Sequence, residues 1–126
     1  MSYVDGFVIP VPRNRLATYR KLASKAGRTW LKYGALSYVE SVADDVKPGK
    51  PTSFPLSIKL KNGEVVVFSW ITYKSRKHRD QVNAKVMKDP FMANFDFKNA
   101  PFDVKRMLQG GFKQFVAMEA IKARQT

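Results

Sequence analysis

The sequence predicts an α+β fold of the ferredoxin-like βαββαβ plan: a four-stranded antiparallel sheet with two helices on one face. Two stretches, residues 15–33 and 76–88, repeat apolar residues at helical spacing, and four others read as strands. Their order along the chain is β-α-β-β-α-β. A length of 126 residues fits a single domain, 1–126, large enough to bury a core.

The first strand is "SYVDGFVIPV", which puts Tyr3, Asp5, Phe7 and Ile9 on one face and Val4, Gly6 and Val8 on the other. Pro10 and Pro12 are expected to end it. Asn14 is the expected N-cap of the first helix and Gly34 its stop. Between them Leu16, Tyr19, Leu22, Ala23, Ala26, Trp30 and Tyr33 gather on one side at about 100° per residue. Lys21, Lys25, Arg28 and Lys32 form a basic stripe on the opposite side.

"ALSYVESVADDV" is the second strand, with Leu36, Tyr38, Glu40 and Val42 on one face and Asp44-Asp45 closing it as turn residues. "KPGKPTSFP" is a loop. Asn62-Gly63 signals a hairpin turn. The stretch before it is either a hairpin partner or a short helical turn. Glu64–Tyr73 is the best-marked strand: Phe68, Trp70 and Thr72 point one way, and Val65, Val67, Ser69, Ile71 and Tyr73 the other. Both faces are largely apolar, so both need cover. The second helix runs from Arg76 to Lys88, with Ser75 as N-cap and Pro90 as stop. Residues 91–103 are aromatic without a period and read as an ordered loop with room for one helical turn. Residues 105–120 form the last strand, where Gly110-Gly111 predicts a bulge or a close backbone approach. Residues 121–126 are a short tail.

Apolar residues make up 44% of the chain, with nine Phe, two Trp and five Tyr, which is a globular composition. No window holds the roughly 18 apolar residues of a membrane span, and the opening segment lacks the plan of a signal peptide. Cysteine is absent, which excludes disulfides, thiol catalysis and Cys-based zinc sites. The expected location is cytoplasmic. The formal charge is +13. Such a chain attracts polyanions, by an electrostatic affinity that fades steeply with salt.

"YVDGFVIPVP", "GALSYVESVADDV", "VVVFSWITYKSRKHRDQVNAKVMKDP" and "PFDVKRMLQGGF" resemble the YbaA-like family of bacterial domains of unknown function, over nearly the whole chain. The resemblance implies membership of the ferredoxin-like dimeric α/β-barrel group, in which two sheets meet face to face in a homodimer. Relatives of that architecture hold ligands between sheet and helices, and some are small enzymes. The resemblance supplies no reaction. It leads one to expect histidine before "GAL", where this chain has Tyr33, so no role of that histidine carries over.

The densest cationic stretch, Lys74 to Arg79, falls where the third strand meets the second helix. On the helical wheel Val82, Val86 and Met87 mark the buried side, and Arg79 and Asn83 share that arc. His78 falls on the water side, and a lone histidine cannot supply an ordinary zinc site. An inward guanidinium needs a carboxylate or a bound anion. Asp5, Glu40 and Asp103 are its candidate partners.

Three functional readings follow. The first is a homodimer that binds a small molecule, including an anionic one, between helices and sheet. Asp5, Arg79, Asn83, Asp103 and Arg106 would be its polar contacts. A separate anion site would use Ser75, Arg76 and Lys77 at the helix N-terminus. The second is non-specific RNA or DNA binding through Lys21, Lys25, Arg28 and Lys32. The third strand, "EVVVFSWITY", lacks the basic-Gly-aromatic run that an RNA-recognition motif needs for base stacking. The third is a structural or partner-interaction module. No metal site, nucleophile with its base, or cofactor fingerprint is legible, and no cofactor is expected.

Overall fold

The computed structural model describes residues 2–121, so residues 122–126 of the expected tail lie outside the described residues. Strands β1 (Tyr3–Pro12) and β3 (Glu64–Tyr73) pair antiparallel along their whole length, from Tyr3 opposite Tyr73 to Pro12 opposite Glu64. Strand β2 (Ser37–Val42) lies outside β3, and β4 (Leu108–Lys113) lies outside β1. The order is β2-β3-β1-β4. Helices α1 (Leu16–Lys32) and α3 (Arg76–Lys88) both pack on the face made by the odd residues of β1 and β3. Two short helices complete the elements: α2 (Phe54–Ser57) and α4 (Pro90–Ala93). Among the described residues no helix is long and apolar enough to cross a membrane.

Three local expectations need correction. Pro10 does not end β1, which runs on to Pro12. The Arg13 N–H donates to the Gly63 carbonyl, so odd residues here face β3. The missing N–H groups of Pro10 and Pro12 therefore face the other side, past Leu108 where β4 stops, and no ladder bond is lost. Asn14 caps nothing. The chain enters α1 through a tight 3-10 turn, Arg13–Arg15, and neither turn nor helix has a side-chain cap. The last strand ends at Lys113, far short of residue 120. It pairs with Tyr3, where β1 begins, and beyond it, among the described residues, only Gln114 finds a backbone partner, Ser2, at 3.0 Å. Gly110 and Gly111 carry no bulge, since the register through them is continuous. Close approach is their reason: a Cβ on Gly111 would run into the Tyr3 ring.

The stretch before Asn62 is the helical turn α2, capped by the Ser53 hydroxyl, which accepts from the Leu56 N–H at 3.2 Å. Residues 89–106 hide a period in aspartate. Asp89, Asp96 and Asp103 stand seven apart, and each carboxylate accepts the N–H two residues on, at 2.9, 3.1 and 3.0 Å. These Asx turns start α4 and two 3-10 turns, Phe97–Asn99 and Val104–Arg106.

Arg106 fastens the end of this segment to the sheet. Its guanidinium donates to both Glu64 oxygens at 2.8 and 2.6 Å, to Asp103 at 2.8 Å and to the Lys59 carbonyl at 3.1 Å. Those bonds hold the Glu64 carboxyl below its ordinary range. The Arg106 and Glu64 side chains are only 14% and 10% exposed. Arg106→Ala should therefore cost about 2–3 kcal/mol in urea unfolding, between the values of exposed and buried pairs. Glu64→Gln combined with it should cost little more, because the two act as one unit.

Candidate functional site

The odd face of the sheet carries two apolar clusters. Tyr3, Ile71, Tyr73, Val82 and Val86 pack at one end, and Ile9, Val11, Tyr19, Ala23, Val65 and Val67 at the other. The rows between them are polar. Asp5 lies in register with Ile71 and, across it, Tyr38; Phe7 lies in register with Ser69 and Glu40. Over those rows α1 presents the small side chains Ala23 and Ala26, and β3 presents Ser69, so the interior is not filled. A cavity of about 730 Å3 results. That is within the usual range for a small-molecule site. Met87, Phe91, Met92, Phe95, Phe97, Phe102 and Met107 complete its walls.

Two carboxylates stand in this cavity, and they are balanced differently. Asp5 accepts from Arg79 Nη1 at 3.1 Å, while Arg79 Nη2 donates to the Tyr3 hydroxyl at 3.1 Å. Arg79 Nε lies 2.9 Å from Asp80, a contact of charge without hydrogen-bond geometry. The guanidinium also stacks 5.0 Å above the Tyr3 ring. Burial raises the Asp5 carboxyl above the ordinary aspartate range, and Arg79 offsets part of the rise.

Glu40 has no such cation. Its Oε1 accepts from the Tyr19 hydroxyl and its Oε2 from the Tyr38 hydroxyl, both at 2.8 Å. Burial pushes Glu40 above the ordinary glutamate range, against the pull of those two phenols and Ser69. The Tyr19 and Tyr38 phenols are pushed far above theirs by burial and by Glu40, so both keep their protons and act as donors. Gly27 makes this geometry possible. A Cβ there would come within 2.9 Å of the Tyr38 ring, so only glycine lets α1 lie this close to β2.

Of the ligand contacts expected from the sequence, Asp5, Arg79 and Asn83 line the cavity. Asn83 Oδ1 accepts from the Trp30 indole N–H at 3.0 Å and from the Tyr73 hydroxyl at 3.5 Å. Asp103 and Arg106 do not belong with them. The Arg106 guanidinium is drawn to both Glu64 and Asp103, and this holds Arg106 and Asp103 outside the cavity walls.

At the start of α3 the Ser75 hydroxyl accepts the His78 N–H at 3.1 Å, so Ser75 is engaged as a cap. Arg76 Nε stands 3.9 Å from Asp80, and Arg76 and Lys77 are otherwise exposed. His78 is half-buried rather than on the water side. Its Nδ1 accepts the Lys74 N–H at 2.9 Å, and its ring meets the Tyr73 ring edge-on.

The stripe of Lys21, Lys25, Arg28 and Lys32 is exposed as expected. Lys25 lies over the Phe91 ring at 5.1 Å, and Lys32 is 3.7 Å from Asp89. The Tyr33 hydroxyl donates to Asp89 at 2.7 Å, tying the end of α1 to the first of the Asx turns. Asp44 and Asp45 sit in an exposed bend.

Sheet and helices define an α+β architecture with a cavity between them, lined by aromatic side chains and two carboxylates. The chain belongs to the family described as "Protein of unknown function (DUF1428)", which it matches over residues 2–104. It is 47% identical over 116 residues to "Uncharacterized protein YbaA" of Escherichia coli (strain K12), covering 92% of this chain and 98% of the relative. The protein of the same name from Shigella flexneri matches at the same identity and coverage. Among solved structures, "De novo designed protein Foldit4" aligns over 90% of this chain and 99% of its own, at 14% identity and a TM-score of 0.47.

The cost of burying Glu40 ionised has a signature in pH. Its carboxyl is raised on folding, so the folded state holds the proton more tightly than the unfolded state. Stability from this group therefore falls as pH rises through the ordinary glutamate value toward the raised one, and stays lower above it. In urea unfolding from about pH 4 to about pH 8, Glu40→Gln should gain stability relative to the wild type as pH rises. A constant difference across that range would show that Glu40 titrates no differently when folded.

Proposed function

We propose that this protein is a homodimeric domain that binds a small, largely apolar molecule in the cavity between its helices and its sheet. The cavity carries the proposal: an unfilled interior walled by aromatic and methionine side chains, with Asp5, Glu40, Ser69, Arg79, Asn83 and Gln109 as its polar points. Pockets of this build bind ligands by apolar contact and orient them with a few polar groups. Enzymatic chemistry is no part of the proposal.

The second copy is argued from the opposite face of the sheet. Leu108, Val8 and Phe68 lie in one row across three strands; Phe112 and Val4 share another, and Trp70 and Val39 a third. Phe68, Leu108 and Phe112 are 43%, 44% and 61% exposed, although neither long helix can reach them. The Phe112 ring lies over Gly110 and Gly6, which makes this face flat in the middle. A flat apolar surface that crosses all four strands is what sheet-on-sheet packing requires. A second copy supplies such a surface.

The nucleic-acid reading fits less well. Two of the four cations in its stripe, Lys25 and Lys32, are engaged with Phe91 and Asp89. If the aromatics of the bare sheet face pack on a second copy, they are also closed to base stacking.

Sedimentation should give a particle of about twice the 14.4 kDa of the chain. Phe68→Lys should convert it to a folded monomer, since a charge placed at a dry interface goes unpaired. A wild type that sediments as a monomer would overturn the dimer. The cavity reading would survive that result, because every cavity residue named comes from one chain.

A further inference from the structure

We propose that the molecule this cavity takes is a hydrophobic organic cation, an amine or quaternary ammonium, with its charge against Glu40 and its apolar body among the rings. This rests on the reading of the cavity as a ligand site and names the ligand's chemical class. Three ionisable side chains of opposite sign line the cavity: Asp5, Glu40 and Arg79. Arg79 is engaged with Asp5 at 3.1 Å and Asp80 at 2.9 Å. It is therefore not free to receive an anionic ligand. Glu40 is the reverse case. Among the described residues no Lys, Arg or His forms an ion pair with it, and the groups that meet its oxygens are neutral: the Tyr19 and Tyr38 phenols, with the Ser69 hydroxyl beside them.

A carboxylate offers about four lone-pair sites. Two phenols leave acceptor capacity on a group that lines the cavity. The rings beside it suit the same charge. Trp30 and Tyr38 lie with centroids 6.2 Å apart, and both line the cavity. A cation within about 6 Å of such a ring is attracted to its face. An anionic ligand would meet Glu40 without a free guanidinium to offset it. A neutral one would leave the buried carboxylate uncompensated. The net charge of the chain, +13, opposes a cation only over about a Debye length, ~8 Å at physiological salt. It slows entry without altering what the interior prefers.

Four probes with one ring test this: naphthylmethylamine, its trimethylammonium analogue, naphthylmethanol and naphthoate. Each is titrated calorimetrically into the full-length wild type and into Glu40→Gln at one ionic strength. The two cations should bind the wild type roughly tenfold or more tighter than the alcohol, with naphthoate weakest. Glu40→Gln should bring the cations to the level of the alcohol while the alcohol keeps its affinity. If the alcohol or naphthoate binds the wild type as well as the amine, the cation assignment is wrong and the cavity reading stands. Binding of none of the four would remove the cavity reading and this inference together. The wild-type ranking decides the matter even if the variant does not fold.

Discussion

Burying a carboxylate on a sheet face otherwise made of Val, Ile, Phe and Tyr is the constraint on which the rest of this structure turns. An ionised group in such a place must be paired or hydrogen-bonded, or it gives up its charge. The protein meets the problem twice and solves it in two ways. Asp5 is met by a guanidinium from α3, which fixes that helix over β1. Glu40 is met by one phenol from α1 and one from its own strand, which fixes α1 over β2. The two helices are thus pinned at polar points, with small side chains between. The space left over is the cavity.

The same division separates interior from exterior electrostatics. Cations dominate the chain, yet the two guanidinia that turn inward, Arg79 and Arg106, are each consumed by carboxylates. The positive surplus lies on exposed faces such as the stripe of α1. Inside the cavity the balance is reversed, because Glu40 has only neutral donors. A strongly basic protein therefore presents an acidic, aromatic interior. Surface charge and interior charge are separate matters here.

Much of the architecture was legible in the sequence because it depends on periods that local physics enforces. The alternation of β3 sorted its residues correctly between a covered and a bare face, and the helical wheel of α3 turned Arg79 and Asn83 toward the sheet. What failed depended on neighbours. The end of β4 is set by where β1 begins, and the tolerance of β1 for two prolines is set by where β4 stops. Neither fact is written in those residues themselves. Asp103 and Arg106 looked like ligand contacts because polar groups near apolar ones look alike until the third partner, Glu64, is known. The Glu40 site was half visible: Glu40 and Tyr38 were placed on one face, and Tyr19 on the inward arc of α1. Their meeting required the distance between α1 and β2, which Gly27 sets. The aspartates at 89, 96 and 103 were a missed signal. Their seven-residue spacing marks three Asx turns in a segment that shows no hydrophobic period.

The methionines that line the cavity offer the most direct view of whether it is the seat of binding. Met87, Met92 and Met107 line it, whereas Met118 is 87% exposed and is not part of its walls. In methyl carbon–proton NMR spectra recorded during titration with naphthylmethylamine, the signals of Met87, Met92 and Met107 should move together and saturate, while that of Met118 stays still. Saturable binding that moves Met118 and leaves the three interior methyls untouched would contradict the account.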